Sequence, residues 1–317
     1  STTSICFQMA SSFSVAMAVV GSAVSGAAAK AAINEATRSI ARCLGAPPAG
    51  IIYTSGASEA NNLAVKGLAA LGGAAGRHIL STPLEHSSVS GTLTALQEQG
   101  YEISDYQLKQ YDDYLKLLVE WNEKMNLTAI TQENEVYEKH FYDSLLPFLH
   151  RDFNNLCDVG AGAGFPSIPV KILYPHLEVT ILEPLAKRVR FLEHLCEKLQ
   201  LKDVNCLHVR AEEYARDHRE CFEIVSARAV ANLPVLSELC LPLVKENGLF
   251  IAMKGLNAAV EIQAAEHAVK TLGAVLEEQK ESMLSDGAKR VNVIYRKVRK
   301  TPKQYPRNYG QIKKHPL

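Results

Sequence analysis

Chemistry in this chain is concentrated in Cys157-Asp158-Val159-Gly160-Ala161-Gly162-Ala163-Gly164-Phe165-Pro166 and, 23 residues after Gly160, in Glu183. Glycines at every second position let a backbone turn sharply and approach a ligand with no Cβ in the way. Pro166 suits an early helical position, where a missing N–H is no loss. The apolar run Leu156–Val159 ahead of the turn reads as a parallel strand buried on both faces. Val179-Thr180-Ile181-Leu182 reads as a second strand, and an acid at its end, Glu183, can accept hydrogen bonds from both hydroxyls of a ribose. Residue types and spacing therefore predict a nucleoside-cofactor site.

A dinucleotide site would carry G-x-G-x-x-G to cradle a pyrophosphate. Here the third glycine comes one residue early, as G-x-G-x-G behind Asp158. That spacing resembles motif I of S-adenosylmethionine (SAM) methyltransferases, whose ligand has no phosphate. The elements needed to hold such a site are present as pattern. Strand-like runs at 156–160, 178–183, 204–209, 222–227, 248–253 and 291–296 alternate with helical patterns, which predicts an α/β, doubly wound, mostly parallel sheet. Ligands of such sheets bind at the carboxyl ends of the strands. Gly160, Glu183, Glu212 and Arg228 each follow a strand, so they are expected to converge.

Composition adds bounds. The 317 residues allow two domains, and the net formal charge of zero hides a basic end. From Gly287 onward there are ten Lys or Arg and no Asp or Glu. Seven cysteines form no C-x-x-C pair and read as small core residues of a reducing, cytoplasmic protein, with no metal site. No run of 18 apolar residues is present to predict a membrane span. Phe13–Ala29 is small and apolar, but the first charge is Lys30, so no secretory signal is expected.

Residues 30–44 carry Ala32, Ile33, Ala36, Ile40 and Leu44 at helical spacing, with Gly45 as a stop. Strand-like Ile51-Ile52-Tyr53, a helix from about Ala57 to Ala70 and His78-Ile79-Leu80 follow. Tyr53-Thr54-Ser55-Gly56-Ala57-Ser58-Glu59-Ala60-Asn61-Asn62 and Thr82-Pro83-Leu84-Glu85-His86-Ser87-Ser88-Val89 resemble the pyridoxal-phosphate cysteine desulfurases over about residues 33–100. That resemblance implies phosphate contacts from Ala57 and Ser58 and ring stacking by His86. The family's Schiff-base lysine and catalytic cysteine have no counterpart, so residues 1–100 are read as a non-functional desulfurase-like fragment without pyridoxal phosphate. Its strands lack their parent sheet, which predicts exposed edges, marginal order and easy proteolysis.

From Tyr101 the pattern changes. Ser104-Asp105-Tyr106-Gln107 is a capping box, and Leu108, Tyr111, Leu115, Leu118 and Val119 mark an amphipathic helix. His140, alone on an apolar helix, reads as a packing residue. The runs E-W-N-E-K-M-N-L-T-A-I (Glu120–Ile130), K-H-F-Y-D-S-L (Lys139–Leu145) and C-D-V-G-A-G-A-G-F-P-S-I-P (Cys157–Pro169) are similar to the RsmG (GidB) family. So are Glu183-Pro184-Leu185-Ala186-Lys187-Arg188, Arg210-Ala211-Glu212-Glu213, Ala227-Arg228-Ala229-Val230-Ala231 and Thr301-Pro302-Lys303-Gln304-Tyr305-Pro306-Arg307. The match covers about residues 93–317. It implies a helical lead-in at 101–150 and a SAM-binding methyltransferase domain at 151–317 with a basic tail.

The family methylates guanine N7 in the decoding region of 16S rRNA. The resemblance implies SAM contacts from Gly160, Phe165, Ala211, Glu212 and Arg228, with Glu183 on the ribose and Gly162 and Gly164 completing the turn. After Arg307 the family usually has Gly-x-Pro, which Tyr309-Gly310-Gln311-Ile312 lacks, so the path of the tail is left open.

Guanine N7 has a lone pair and no proton, so methyl transfer to it needs alignment rather than a general base. No catalytic dyad is visible, and Arg228 and Lys254 are expected to position RNA and the transition state. In the tail, Tyr295, Tyr305 and Tyr309 interleave with Arg296, Lys297, Arg299, Lys300, Lys303 and Arg307. Cations with aromatics suit an RNA loop, so Lys254, Arg299, Lys300, Lys303, Tyr305 and Arg307 are the expected RNA contacts. The expected partner is 16S rRNA within the small ribosomal subunit or its precursor, met by a monomer, with no DNA and no membrane involved. Two rivals remain: a SAM methyltransferase acting on another substrate, and a non-catalytic fusion whose desulfurase-like piece is an interaction module.

Overall fold

The computed structural model describes residues 34–42, 47–48, 96, 99–284 and 287–317. The chain divides into two compact units, 1–81 and 82–317. In the first, a helix runs over 34–42, within the stretch whose spacing predicts one. Gly45, Ala57, Ser58, His86 and the strands expected at 51–53 and 78–80 lie outside the described residues.

The second unit opens with α1 (Asp105–Met125), started by the expected capping box: Gln107 N–H donates to Ser104 Oγ, and Ser104 N–H donates to Gln107 Oε1 at 3.0 Å. The buried face of α1 is Gln110, Tyr111, Tyr114 and Leu118, whereas Leu108, Leu115 and Val119 are only half-buried. Polar residues win this face because each finds a carbonyl. Gln110 Nε2 donates to Leu199 O at 2.7 Å, Tyr111 Oη to Pro169 O at 2.9 Å and Tyr114 Oη to Ala163 O at 2.6 Å. Such bonds offset the cost of taking those heads out of water.

A second lead-in helix follows in three pieces: α2 (Glu133–Val136), a π-helical turn (Tyr137–Tyr142) and α3 (Asp143–Leu145). Next comes the α/β body: β1 (Asn155–Val159), α4 (Ser167–Leu173), β2 (Glu178–Leu182), α5 (Ala186–Lys198), β3 (Val204–Leu207), α6 (Ala211–Tyr214) and β4 (Phe222–Arg228). Then follow α7 (Leu233–Cys240), β5 (Val244–Lys254), α8 (Ala258–Thr271), β6 (Ala274–Met283), β7 (Lys289–Lys297) and α9 (Tyr309–Lys314).

The seven strands form one sheet in the order β3-β2-β1-β4-β5-β7-β6. The first five pair in parallel, and β7 runs antiparallel between β5 and β6. In register, Cys157 sits between Thr180 and Val225. Strand alternation sends Leu156 to a core beneath α1, α4 and α5, and Cys157 and Val159 to a second core beneath α7 and α8. The sequence pattern does not reveal β6: its Glu277, Glu278, Lys280 and Glu281 carry no apolar alternation. It is an edge strand, and charges there discourage further pairing.

Candidate functional site

Asp158 anchors the turn that leaves β1. Fully buried, it accepts Ser167 N–H at 3.1 Å on one oxygen and the Ser226 hydroxyl at 3.2 Å on the other, tying the start of α4 to β4. Burial pushes its carboxyl up to about 7, against the pull of those hydrogen bonds. Gly160 has φ +73, and a Cβ there would come within 2.7 Å of Val230 Cγ2. Gly164 has φ +102, and its Cβ would meet Tyr114 Oη at 2.6 Å and Ile168 Cγ1 at 2.8 Å. Both positions are therefore closed to side chains by conformation and by space. Pro166 stands as N-cap of α4, one position earlier than its first helical turn.

Glu183, also buried, closes the other wall. Its Oε2 accepts Gly162 N–H at 3.1 Å and its Oε1 accepts Leu185 N–H at 3.1 Å, so two backbone amides fix the carboxylate. A crevice at the carboxyl ends of the strands is lined by Gly160, Glu183, Arg188, Ala211, Glu212 and Tyr309, among others. Four of the expected cofactor residues (Gly160, Glu183, Ala211 and Glu212) thus share one cavity. Burial pushes the Glu212 carboxyl up. Tyr309 belongs here through the tail, its ring beneath Arg210 with Cζ 5.1 Å from the centroid.

Phe165 and Arg228 stand on the lead-in side. The Phe165 ring is stacked between His140, at 4.5 Å, and Tyr114, at 5.4 Å, with Arg228 Cζ 5.9 Å above it. The Arg228 guanidinium donates to Lys139 O at 2.7 Å and to Ser144 Oγ at 3.2 Å, and pairs with Asp143 at 3.3 Å. His140 is buried against Phe165 with both ring nitrogens partnered, as expected of a packing residue. Burial, and then Arg228, pull its imidazole down to about 3, so it is neutral at pH 7. Its Nδ1 faces Arg228 at 3.4 Å, which makes Nε2 the donor to Thr128 Oγ1 at 2.8 Å. Asp143 and Tyr114 were not singled out from sequence. The K-H-x-x-D spacing was there to be read, but a π turn has no residue signature.

The basic end differs from the sequence reading. Tyr295 and Lys297 lie in β7, not in a tail: Tyr295 is buried and stacked on Phe250 at 5.9 Å. Lys297 is fully buried, and its Nζ donates to Leu241 O at 2.6 Å and to Thr301 Oγ1 at 2.8 Å. Arg296 is paired with Glu277. The physical reason is strand alternation, which turns every second cation of the run inward.

Farther on, Arg299 Nη2 donates to Lys270 O at 2.6 Å, and Arg307 grips the buried Glu238 at 2.6 Å. Tyr305 is half-buried. Lys254 donates to Ala231 O at 2.8 Å and pairs with Glu261 at 2.7 Å. Lys300 and Lys303 are exposed. Among the described residues no cluster of three or more His, Cys, Asp or Glu could hold a metal ion.

A glycine turn after β1, an acid after β2 and a sheet whose last paired strands reverse make this a Rossmann-like SAM-dependent methyltransferase fold. The family model for rRNA small subunit methyltransferase G (GidB) matches residues 107–290, more than half of the chain, and the chain belongs to that family. It is 52% identical to the ribosomal RNA small subunit methyltransferase G of Listeria monocytogenes, over 71% of this chain and 97% of that protein. With the protein of the same name from Bacillus cytotoxicus the identity is 54%, over 70% and 95%.

A class-V aminotransferase model matches residues 7–137, in keeping with the desulfurase-like motifs. In the overlap, Tyr111 and Tyr114 are bonded to Pro169 and Ala163, so physically α1 is part of the methyltransferase unit. Among solved structures, an O-methyltransferase from Bacillus cereus is 16% identical, covering 58% of this chain and 91% of that one at a TM-score of 0.42, too slight a likeness to weigh.

Proposed function

We propose that this chain transfers a methyl group from SAM to N7 of a guanine in 16S rRNA, within the small ribosomal subunit or its precursor. The observation that carries the reading is identity above half along nearly the whole length of proteins named ribosomal RNA small subunit methyltransferase G. The donor set of the crevice fits the cofactor. Glu183, held by two amides, presents a fixed acceptor suited to a ribose diol, and Gly160 lines the same crevice at the strand end. Ala211 and Glu212 line the same space, whereas Gly162, Gly164, Phe165 and Arg228 are outside its lining, Gly162 bonded to Glu183 and Phe165 stacked on His140 on the lead-in side.

When bound, SAM supplies an electrophilic methyl on a sulfonium. The chain's own task is to orient, because N7 offers its lone pair without losing a proton. The imidazole beside the turn, His140, is neutral and bonded to Thr128, consistent with a site that moves no proton. Arg228 ties the end of β4 to the lead-in turn through Lys139 O and Asp143, and Lys254 ties the end of β5 to the loop after β4 through Ala231 O and to Glu261 of α8. Of the expected RNA contacts in the tail, exposed Lys300 and Lys303 are read as meeting phosphates, with exposed Lys313 and Lys314 beyond them, while Arg299, Tyr305 and Arg307 shape the tail that carries them.

The functional segments are 101–150 as lead-in and 151–317 as SAM domain, with 1–100 a passive fragment. The protein works in the cytoplasm as a monomer, with no pyridoxal phosphate or metal and no DNA or membrane partner. The test is tritiated-methyl transfer from SAM to small subunits from a strain lacking the modification. Label recovered as 7-methylguanine is the expected result; label in any other base, or none, overturns the reading.

A further inference from the structure

The π-helical turn gathers the groups that meet Arg228. Asp143 N–H donates to Glu138 O and His140 O, and the Lys139 carbonyl between them accepts Arg228 Nη2. With Ser144 Oγ on Nη1, His140 Nδ1 at 3.4 Å and the Asp143 carboxylate at 3.3 Å, a single turn of the lead-in holds the whole guanidinium. π turns inside helices recur at functional sites.

We propose that Asp143 is a positioning residue for Arg228: its carboxylate fixes the guanidinium over Phe165, on the lead-in side of the glycine turn. This rests on the reading that Arg228 contacts SAM. The same carboxylate lies 3.4 Å from Arg290 Nε, so two cations share one anion and the trio keeps a positive charge beside a neutral His140. Asp143 Oδ1 is buried without a hydrogen-bond partner. A carboxylate kept this way is costly compared with a neutral residue of similar size, which would serve packing alone. Its benefit must lie in the charge it sets against Arg228 and Arg290.

The experiment is a double-mutant cycle on the full chain, read by calorimetric titration with SAM: wild type, Asp143→Asn, Arg228→Ala and the double variant. Asp143→Asn is expected to weaken SAM binding about tenfold in the wild-type background and negligibly once Arg228 is gone, since residues acting as a pair are non-additive. Asp143→Glu, which keeps the charge and shifts it by one methylene, is expected to lose less, again only while Arg228 is present. With SAM saturating, turnover on small subunits should be nearly restored in Asp143→Asn, separating KM from kcat. An equal loss in both backgrounds, or no loss in the wild-type background, overturns the proposal. A wild-type chain that does not bind SAM overturns the cofactor reading and this inference together, so the two failures are distinguishable.

Discussion

Replacing Gly164 by alanine tests whether the turn after β1 is set by packing as well as by conformation. An L side chain at φ +102 lies outside the narrow left-handed region and costs about 2 kcal/mol. The new methyl would also sit 2.6 Å from Tyr114 Oη and 2.8 Å from Ile168 Cγ1, both in a filled core, adding about 2 kcal/mol of overpacking. Gly162→Ala is the control. Its φ is +62 and nothing lies within 4 Å of the added Cβ, so about 1 kcal/mol of backbone strain is all it should carry.

At about 2–4 °C per kcal/mol for a domain of this size, Gly164→Ala should melt roughly 10 °C below wild type and Gly162→Ala roughly 3 °C below. The single tryptophan, Trp121, packs on Phe191 at 5.5 Å within the second unit, so its fluorescence reports that unit's unfolding. If Gly162→Ala melts as low as Gly164→Ala, steric closure of the turn is not the cause and the reasoning fails.

Tyr114→Phe removes the partner of the buried Ala163 carbonyl and should lower unfolding stability in urea by about 1–3 kcal/mol; an unchanged midpoint and slope would contradict the bond's role. Arg307→Ala strips the guanidinium from buried Glu238, leaving it only the backbone N–H of residue 307, and should cost about 2–3 kcal/mol in the same assay, whereas Lys300→Ala and Lys303→Ala should leave stability within about 0.5 kcal/mol and weaken RNA binding. For RNA itself, six neutralised phosphates would give a log–log salt slope of about −4 to −5; with four exposed lysines in the tail, Lys300, Lys303, Lys313 and Lys314, the expected slope is nearer about −3, and a value beyond about −4 would mean that cations elsewhere on the surface meet RNA. Lys297 is pulled by burial down to about 8, so between that value and its ordinary 10.5 the unfolded chain binds the extra proton. Stability conferred relative to Lys297→Met should therefore rise, by of order 3 kcal/mol, as pH climbs through that window; a flat difference would contradict a buried, desolvated ammonium.

Much of the site was legible because its signals are local. The glycine turn, the acid after the second strand and the capping box at Ser104 each depend on a few adjacent residues, and each appears where spacing places it. What was not legible depends on contacts between distant residues. Polar Gln110 and Tyr114 outrank Leu108 and Leu115 on the inner face of α1 because carbonyls of Leu199 and Ala163 await them. Strand β6 hides its pairing under charge. Most of the basic run from Arg296 to Arg307 neutralises this chain's own acids and caps its own carbonyls, a use that composition cannot tell from a nucleic-acid surface.

The turn at Tyr137–Tyr142 also bears on which length changes this chain can tolerate. A helix with a π turn carries a surplus residue. Deleting one there would leave a more regular helix, yet it would rotate everything before the cut by about 100° relative to everything after it. Val136 and Tyr137, now inside, would swing toward solvent while Asp143 stayed facing Arg228. Local helical preference and the needs of the pocket thus pull in opposite directions, and shortening this stretch by a single codon should be worse than most substitutions within it.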